Sequence, residues 1–271
     1  MQTACLLSWI KSPMPAFFLD SKDNPKIKHL RALIEQNAYR KKNRQTVLEG
    51  THLSLAWLEQ KRSITSIFTT EAAYSHPDLE KIVSLYDGNV FVLSESLYKD
   101  LSTLGTSLAC LSIVDLPTSR EALNFAEDTL ILDNIQDPGN VGTLLRSAAA
   151  AGIEQVVCTK GSASIWSPRV LRAGMGAHFS LNTYENVELE DILSKFTIPV
   201  YVTSSHQSES LYSKNLRKQC VWILGNEGQG ASKYALEKAE AVAIPQPGGQ
   251  ESLNVAIAGS ICFFEMVRQR L

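Results

Sequence analysis

The residues best equipped for chemistry fall in three short polar runs, each directly after an apolar stretch. The first is Asp133-Asn134-Ile135-Gln136-Asp137-Pro138-Gly139-Asn140-Val141-Gly142-Thr143-Leu144-Leu145-Arg146. It crowds carboxylates and carboxamides around a helix start, with Asn140 reading as the N-cap. Gly142, in the first turn, would let another chain or a ligand approach the backbone closely. Arg146 stands on an otherwise small, apolar helix, so its guanidinium either snorkels to solvent or pairs with an anion. The second run is Leu224-Gly225-Asn226-Glu227-Gly228-Gln229-Gly230, and the third spans Ile244 to Asn254 through Pro245, Gln246, Gly249, Ser252 and Leu253. A strand, a glycine loop and a helix start expose backbone groups that can hold a ligand. The helix after the third run is expected from Ser252, with no charge until Glu265.

Spacing removes the common nucleotide sites. The chain has no Gly-x-x-x-x-Gly-Lys-Ser/Thr phosphate loop. Gly225 to Gly230 has its glycines in the wrong order for Gly-x-Gly-x-x-Gly and places Glu227 where a pyrophosphate would sit. Such a loop suits a ligand with positive or neutral polar groups. The five cysteines and five histidines are dispersed, without metal-knuckle, redox or helical i, i+4 spacing. Buried thiols in a reducing cytosol are therefore expected, and a metal enzyme is not.

The elements that must position these runs follow from the apolar pattern. In the N-terminal half an amphipathic helix is expected at Ile27–Tyr39 and strands at Thr46–Gly50, Ile64–Thr70, Val90–Leu93 and Leu108–Val114. Helices are expected after Gly50, around Asp78–Tyr86 and at Glu95–Leu104. That alternation makes a compact α/β module. In the C-terminal half strands are expected at Thr129–Ile135, Gln155–Thr159, Val200–Thr203, Val221–Leu224 and Ala241–Ile244, with a helix at Asn140–Ala151. The reading is an α/β fold: a mostly parallel sheet with helices on both faces, whose ligands bind beyond the carboxyl ends of the strands. The expected organisation is a tail over residues 1–20, a first domain over 21–117, a linker over 118–128 and a second domain over 129–271.

At 271 residues, with 44% hydrophobic and 20% charged residues, the chain has the composition of a soluble two-domain protein. No apolar run reaches the ~20 residues of a membrane span. The N-terminal segment reads as a tail rather than a signal peptide, with an organelle-targeting segment as the alternative. The net charge of −2 hides an asymmetry. Between Ser21 and Arg62 ten basic residues, including Arg40, Lys41, Lys42 and Arg44, face four acidic ones, leaving sixteen basic against twenty-four acidic elsewhere. A basic end of this kind is a footprint for a polyanion or a solvated helix face, and charge alone does not decide between them.

Together the three runs resemble the signature motifs of the SpoU/TrmH branch of the SPOUT RNA methyltransferases. Asn140, Gly142 and Arg146 match the first motif; Gly225, Glu227 and Gly230 match the second. Ile244, Pro245, Gly249, Ser252, Leu253 and Asn254 match the third, and the resemblance covers Thr129 to Leu271. Gly174-Met175-Gly176 after Arg172 resembles a further segment near the family's site. The basic half, from Tyr39-Arg40-Lys41-Lys42 into Val47-Leu48-Glu49-Gly50, resembles the L30e-like RNA-binding domain often fused to this family. Gln246 departs from the pattern, standing where the third motif commonly has methionine.

The resemblance implies methyl transfer from S-adenosylmethionine to a ribose 2′-hydroxyl, in ribosomal RNA ahead of transfer RNA. The alternative is a non-catalytic RNA-binding or ribosome-assembly factor that keeps the fold. It also implies a deep trefoil knot, an exception to the rule against knots, and a homodimer with sites near the interface. The small residues Ala256, Ala258, Gly259 and Ser260 are expected at that interface or packed within one protomer. The implied catalytic set is Asn140, Arg146, Glu227, Ser252 and Asn254, with Glu227 orienting Arg146 or the neighbouring protomer. Leu224, Gly225, Asn226, Gly230, Ile244, Pro245, Gly249, Ser252 and Leu253 form the implied cofactor clasp. Arg40, Lys41, Lys42, Arg44 and Arg172 form the implied RNA contacts. A free arginine, with a pKa above ~12, is a poor base, so Arg146 is expected to orient the RNA and stabilise alkoxide charge. Neither a metal nor a membrane is implied, and the expected compartment is the cytoplasm.

Overall fold

The computed structural model describes residues 16–103, 108–117, 121–204, 209–249 and 252–271. The chain divides into two units, the first ending at Leu116 and the second beginning at Pro117.

In chain order, the first unit contains β1 (Ala16–Leu19), α1 (Pro25–Glu35), α2 (Asn37–Asn43), β2 (Gln45–Glu49), α3 (Thr51–Glu59) and β3 (Ser66–Thr70). There follow α4 (Glu71–Tyr74), α5 (Pro77–Ser84), β4 (Val90–Leu93), α6 (Glu95–Leu101) and β5 (Cys110–Asp115). The strands form one mixed sheet in the order β1-β4-β3-β5-β2, with β5 antiparallel to both its neighbours. Two expectations change here. Ala16–Leu19 is no tail but an edge strand, paired in parallel register with Val90–Leu93, and the Phe17 and Phe91 rings lie 5.9 Å apart. The single helix expected from Ile27 breaks at Gln36, which takes extended backbone. Ile27, Leu30 and Leu33 recur at helical spacing and are fully buried, so the apolar stripe ends with α1.

The second unit contains β6 (Thr129–Asp133), α7 (Pro138–Ala150), β7 (Gln155–Thr159), α8 (Pro168–Gly174), β8 (Asn182–Val187) and α9 (Leu189–Ile192). There follow β9 (Val200–Thr203), β10 (Glu209–Ser210), β11 (Val221–Gly225), α10 (Lys233–Lys238), β12 (Glu240–Ala243) and α11 (Val255–Arg270). Every strand pairing in its seven-stranded sheet, ordered β10-β12-β9-β11-β6-β7-β8, is parallel. The central strands are buried from end to end, as a sheet covered on both faces requires. Alternate residues divide between the faces: Ile131, Val157, Val202 and Ile223 pack with α9 and Ala235 of α10.

Residues 121–128 are not a free linker. Leu123 and Phe125 pack against this core, and Phe125 meets Phe196 edge-on at 5.1 Å. Two strands, β8 and β10, carry too little apolar alternation to be expected from sequence; burial along β8 is only partial. The sheet order matters most for function. β6 and β11, far apart in sequence, lie side by side with Asp133 opposite Gly225, so the first and second polar runs leave the sheet together.

Candidate functional site

Asp133, the last residue of β6, is buried, and its carboxylate accepts a 2.7 Å hydrogen bond from the Ser232 N–H. That bond ties the loop after β11 to the neighbouring strand. Asn134 follows with φ 58°, and its carbonyl accepts from the Asn226 carboxamide at 2.8 Å. Asn226 also accepts from the Gly228 and Gln229 amides at 2.9 and 3.0 Å, curling the glycine loop around its side chain. Gly225 is required by this curl, because a Cβ there would lie 2.0 Å from the Ala231 nitrogen.

Asp137, not Asn140, caps α7: its side chain accepts from the Asn140 N–H at 2.8 Å, with Pro138 at the first helical position. Asn140 is thereby moved one turn inside, and its side chain is released for other work. Its Nδ2 donates to Glu227 at 3.1 Å, while its Oδ1 accepts from Asn254 Nδ2 at 3.0 Å. Glu227 additionally accepts from the backbone N–H groups of Gln136 and Asp137, at 3.3 and 3.2 Å. Burial works against the charged form of Glu227, but the bonds from Asn140 and from backbone N–H groups, including those of Asp137 and Gln136, outweigh it. Its carboxyl therefore sits below the ordinary glutamate range. Through these bonds Glu227 holds the first polar run in place.

The third run ends differently from expectation. The helix begins at Val255, and Asn254 is its N-cap, accepting from Ala256 and Ile257 N–H at 2.9 and 3.3 Å. Asn254 thus performs two tasks, capping α11 with its oxygen and reaching Asn140 with its nitrogen. Gly142 also has a different purpose. A Cβ there would meet the Ala173 Cβ at 2.4 Å and the Gly174 nitrogen at 2.7 Å, so it admits α8 against α7. The small residues of α11 likewise pack within the protomer. Gly259 faces Leu144 and Leu224, Ser260 bonds Ser147 at 2.8 Å, and Ala256 is buried.

A cavity of about 480 Å³ opens at the carboxyl ends of β9, β11 and β12. Gly225, Asn226, Glu227, Gly230, Ile244, Ser252, Leu253 and Asn254 line it, as the motifs lead one to expect. Leu224, Pro245 and Gly249 do not: Leu224 is fully buried inside the sheet, and the other two are exposed in the loop after β12. Asn140 stands behind the wall, joined to it through Glu227 and Asn254. Thr203, Ser204, Leu236 and Val242 also line the cavity although they lie outside the three runs, and Gln246, the departure within the third run, and Ala258 of α11 line it with them. The rule that ligands gather at strand carboxyl ends points to the first two; nothing local to the motifs does.

Arg146 is exposed on α7 outside this wall, and no hydrogen bond or ion pair holds its guanidinium among the described residues. Arg172 is exposed at the end of α8, also outside the wall. In the first unit Lys41, Lys42 and Arg44 are exposed. Arg40 is not: it is 5% exposed and donates to the carbonyls of Leu33 and Ile34 at 2.9 and 3.2 Å. Those carbonyls belong to the last turn of α1, which lacks intrahelical partners there. Arg40 is a structural closure and leaves the RNA-facing set.

The cavity has the size of a small-molecule site and is walled by apolar Leu236, Val242, Ile244 and Leu253 beside polar backbone. Among the described residues, one carboxylate and no lysine or arginine line it. Such a lining disfavours a phosphate and fits a nucleoside that carries net positive charge, as S-adenosylmethionine does through its sulfonium.

The fold and this site define a parallel α/β protein with a nucleoside-sized cleft at the sheet's carboxyl edge. Residues 128–264 match the SpoU rRNA Methylase family, and residues 24–111 match an MRM3-like substrate binding domain. The chain belongs to the SpoU rRNA methylase family. It is 33% identical to an uncharacterized tRNA/rRNA methyltransferase of Synechocystis sp., over 93% of this chain and 94% of that one. It is 29% identical to the 23S rRNA (guanosine(2553)-2'-O)-methyltransferase of Bacillus subtilis, over 92% and 98%. The AdoMet-bound rRNA methyltransferase of Sinorhizobium meliloti superposes with a TM-score of 0.80 at 26% identity, covering 94% and 99%.

Proposed function

We propose that this protein transfers the methyl group of S-adenosylmethionine to a ribose 2′-hydroxyl of ribosomal RNA. The observation that carries the reading is the cavity at the ends of β9, β11 and β12, whose loops are joined by the Glu227–Asn140–Asn254 bonds. When bound, the cofactor supplies an electrophilic methyl on a sulfonium, so the chain has to hold the hydroxyl in line and manage its proton. Gly225, Asn226, Gly230, Ile244 and Leu253 offer backbone and apolar walls to the cofactor. Ser252, whose hydroxyl makes no hydrogen bond among the described residues, is free to meet the ribose. Arg146 orients an RNA phosphate and stabilises charge developing on the 2′-oxygen.

The working unit is a homodimer. Ile257 and Phe264 of α11 are 55% and 49% exposed and lie two turns apart on one face, with Ile261 between them. An apolar stripe on an exposed helix is the signature of a partner surface. Ser147, adjacent to Arg146, bonds Ser260 of α11, so Arg146 stands beside that stripe. The first unit is an L30e-like module that presents Lys41, Lys42 and Arg44 to RNA. The run after β12 is threaded to make the trefoil knot: β12 lies beyond β9, yet α11 returns to pack on α7 and β11. The compartment is the cytoplasm, in keeping with the free, buried state of the four cysteines among the described residues.

The test is methylation of ribosomal RNA from cells lacking the protein, with labelled S-adenosylmethionine, followed by digestion to nucleosides. A labelled 2′-O-methylnucleoside is expected. Label in transfer RNA alone would move the substrate, and label on a base would refute the ribose reading. Phe264→Asp tests the dimer by sedimentation, and a variant that still sediments as a dimer would refute the α11 interface.

A further inference from the structure

Gln246 is the unexplained residue of the cofactor cleft. Among the described residues lining it, only Gln246 has a solvent-shielded side-chain oxygen that accepts no hydrogen bond. Its backbone is fixed: Pro245 and Pro247 flank it, and its carbonyl accepts from the Gly249 N–H at 3.2 Å. A buried acceptor without a donor is costly, and native structures retain few of them without a reason. The shielded oxygen lies at the wall of the cleft, where a bound ligand can bring the donor.

The surroundings narrow the choice of donor. Ile244, Val242 and Leu236 give the same cavity apolar lining, which suits an aromatic base. The ammonium and carboxylate of the cofactor keep their hydration better beside Asn226, Glu227 and Gln229, at the polar part of the lining. Of the cofactor's remaining groups, the adenine 6-amino group pairs an apolar ring with an N–H donor. We propose that Gln246 reads the adenine, its side-chain oxygen accepting a hydrogen bond from the 6-amino group. This rests on S-adenosylmethionine as the cofactor. It makes Gln246 a specificity residue that a methionine at this place, with no comparable acceptor, would not replace.

Titration calorimetry on the full chain, wild type and Gln246→Met, tests this with S-adenosylhomocysteine and its 6-oxo, inosine-based counterpart. The wild type is expected to prefer the adenine compound, and Gln246→Met to cut that preference about 5- to 10-fold, the equivalent of one hydrogen bond. The melting temperature of the unliganded variant is expected to be no lower, because an orphaned acceptor has been removed. An adenine preference equal in the two proteins would overturn the proposal, as would adenine-compound affinity unchanged in the variant. A wild type that binds neither compound would overturn the cofactor assignment itself.

Discussion

Asn254 and Asn140, 114 residues apart in the chain, meet side chain to side chain at 3.0 Å, and this bond joins the cap of α11 to the first turn of α7. Asn140 passes the constraint on to Glu227, which gathers two backbone N–H groups of the loop after β6. One carboxamide therefore couples all three polar runs. Asn140→Ala removes both links and leaves Glu227 held by backbone alone. The expected cost is about 1–2 kcal/mol of stability, together with weaker S-adenosylmethionine binding, read by thermal unfolding and calorimetry. Retention of wild-type affinity would show that the cleft does not depend on this bond.

Much of that geometry is legible in the sequence. Buried parallel strands read as continuous apolar runs, so β4, β7 and β9 fall at their expected bounds. The polar runs stood out because each follows such a strand. What remained hidden depends on partners distant in sequence. Asn140 looks like a cap by residue type, but Asp137 lies three residues upstream with Pro138 behind it, and that pair takes the cap. Arg40 looked like part of a basic patch until the break at Gln36 turned it back onto α1. The walls contributed by Thr203 and Val242 follow from sheet order, which no local pattern encodes.

His178 supplies a pH prediction. Burial pushes its pKa down to about 4, against a hydrogen bond to the Ile165 carbonyl, and its Nδ1 has no partner to receive a second proton's bond. A folded pKa below the unfolded value means the stabilisation is complete above about pH 6.5. As the pH falls from there the unfolded chain takes up a proton that the folded chain refuses. Stability declines until the folded group titrates near pH 4, by an amount on the order of 3 kcal/mol. His178→Phe should flatten the dependence of melting temperature on pH across this window. A variant with the wild-type slope would assign the acid sensitivity to other groups.

Arg146 should separate catalysis from folding. Its side chain is exposed and makes no hydrogen bond or ion pair among the described residues, so Arg146→Ala should leave stability within about 0.5 kcal/mol of wild type. It lies outside the cofactor cleft, so S-adenosylmethionine affinity should also persist. RNA methylation should be lost. Full methylation by the variant would remove Arg146 from the mechanism.

The basic residues of the first unit should divide into two kinds. Arg40→Ala strips the last turn of α1 of the donor to Leu33 and Ile34, buried where water cannot replace it. The expected loss is about 1.5–3 kcal/mol of stability, the range for hydrogen bonds from a charged donor. Lys41→Ala with Lys42→Ala should leave the melting temperature nearly unchanged, since both side chains are exposed. That double variant should instead bind RNA more weakly and with a shallower dependence on salt, because each lost phosphate contact removes about one released counterion. Affinity measured from low to high salt distinguishes the cases: a parallel, unshifted line would make these lysines a solvated helix face, leaving RNA capture to other residues.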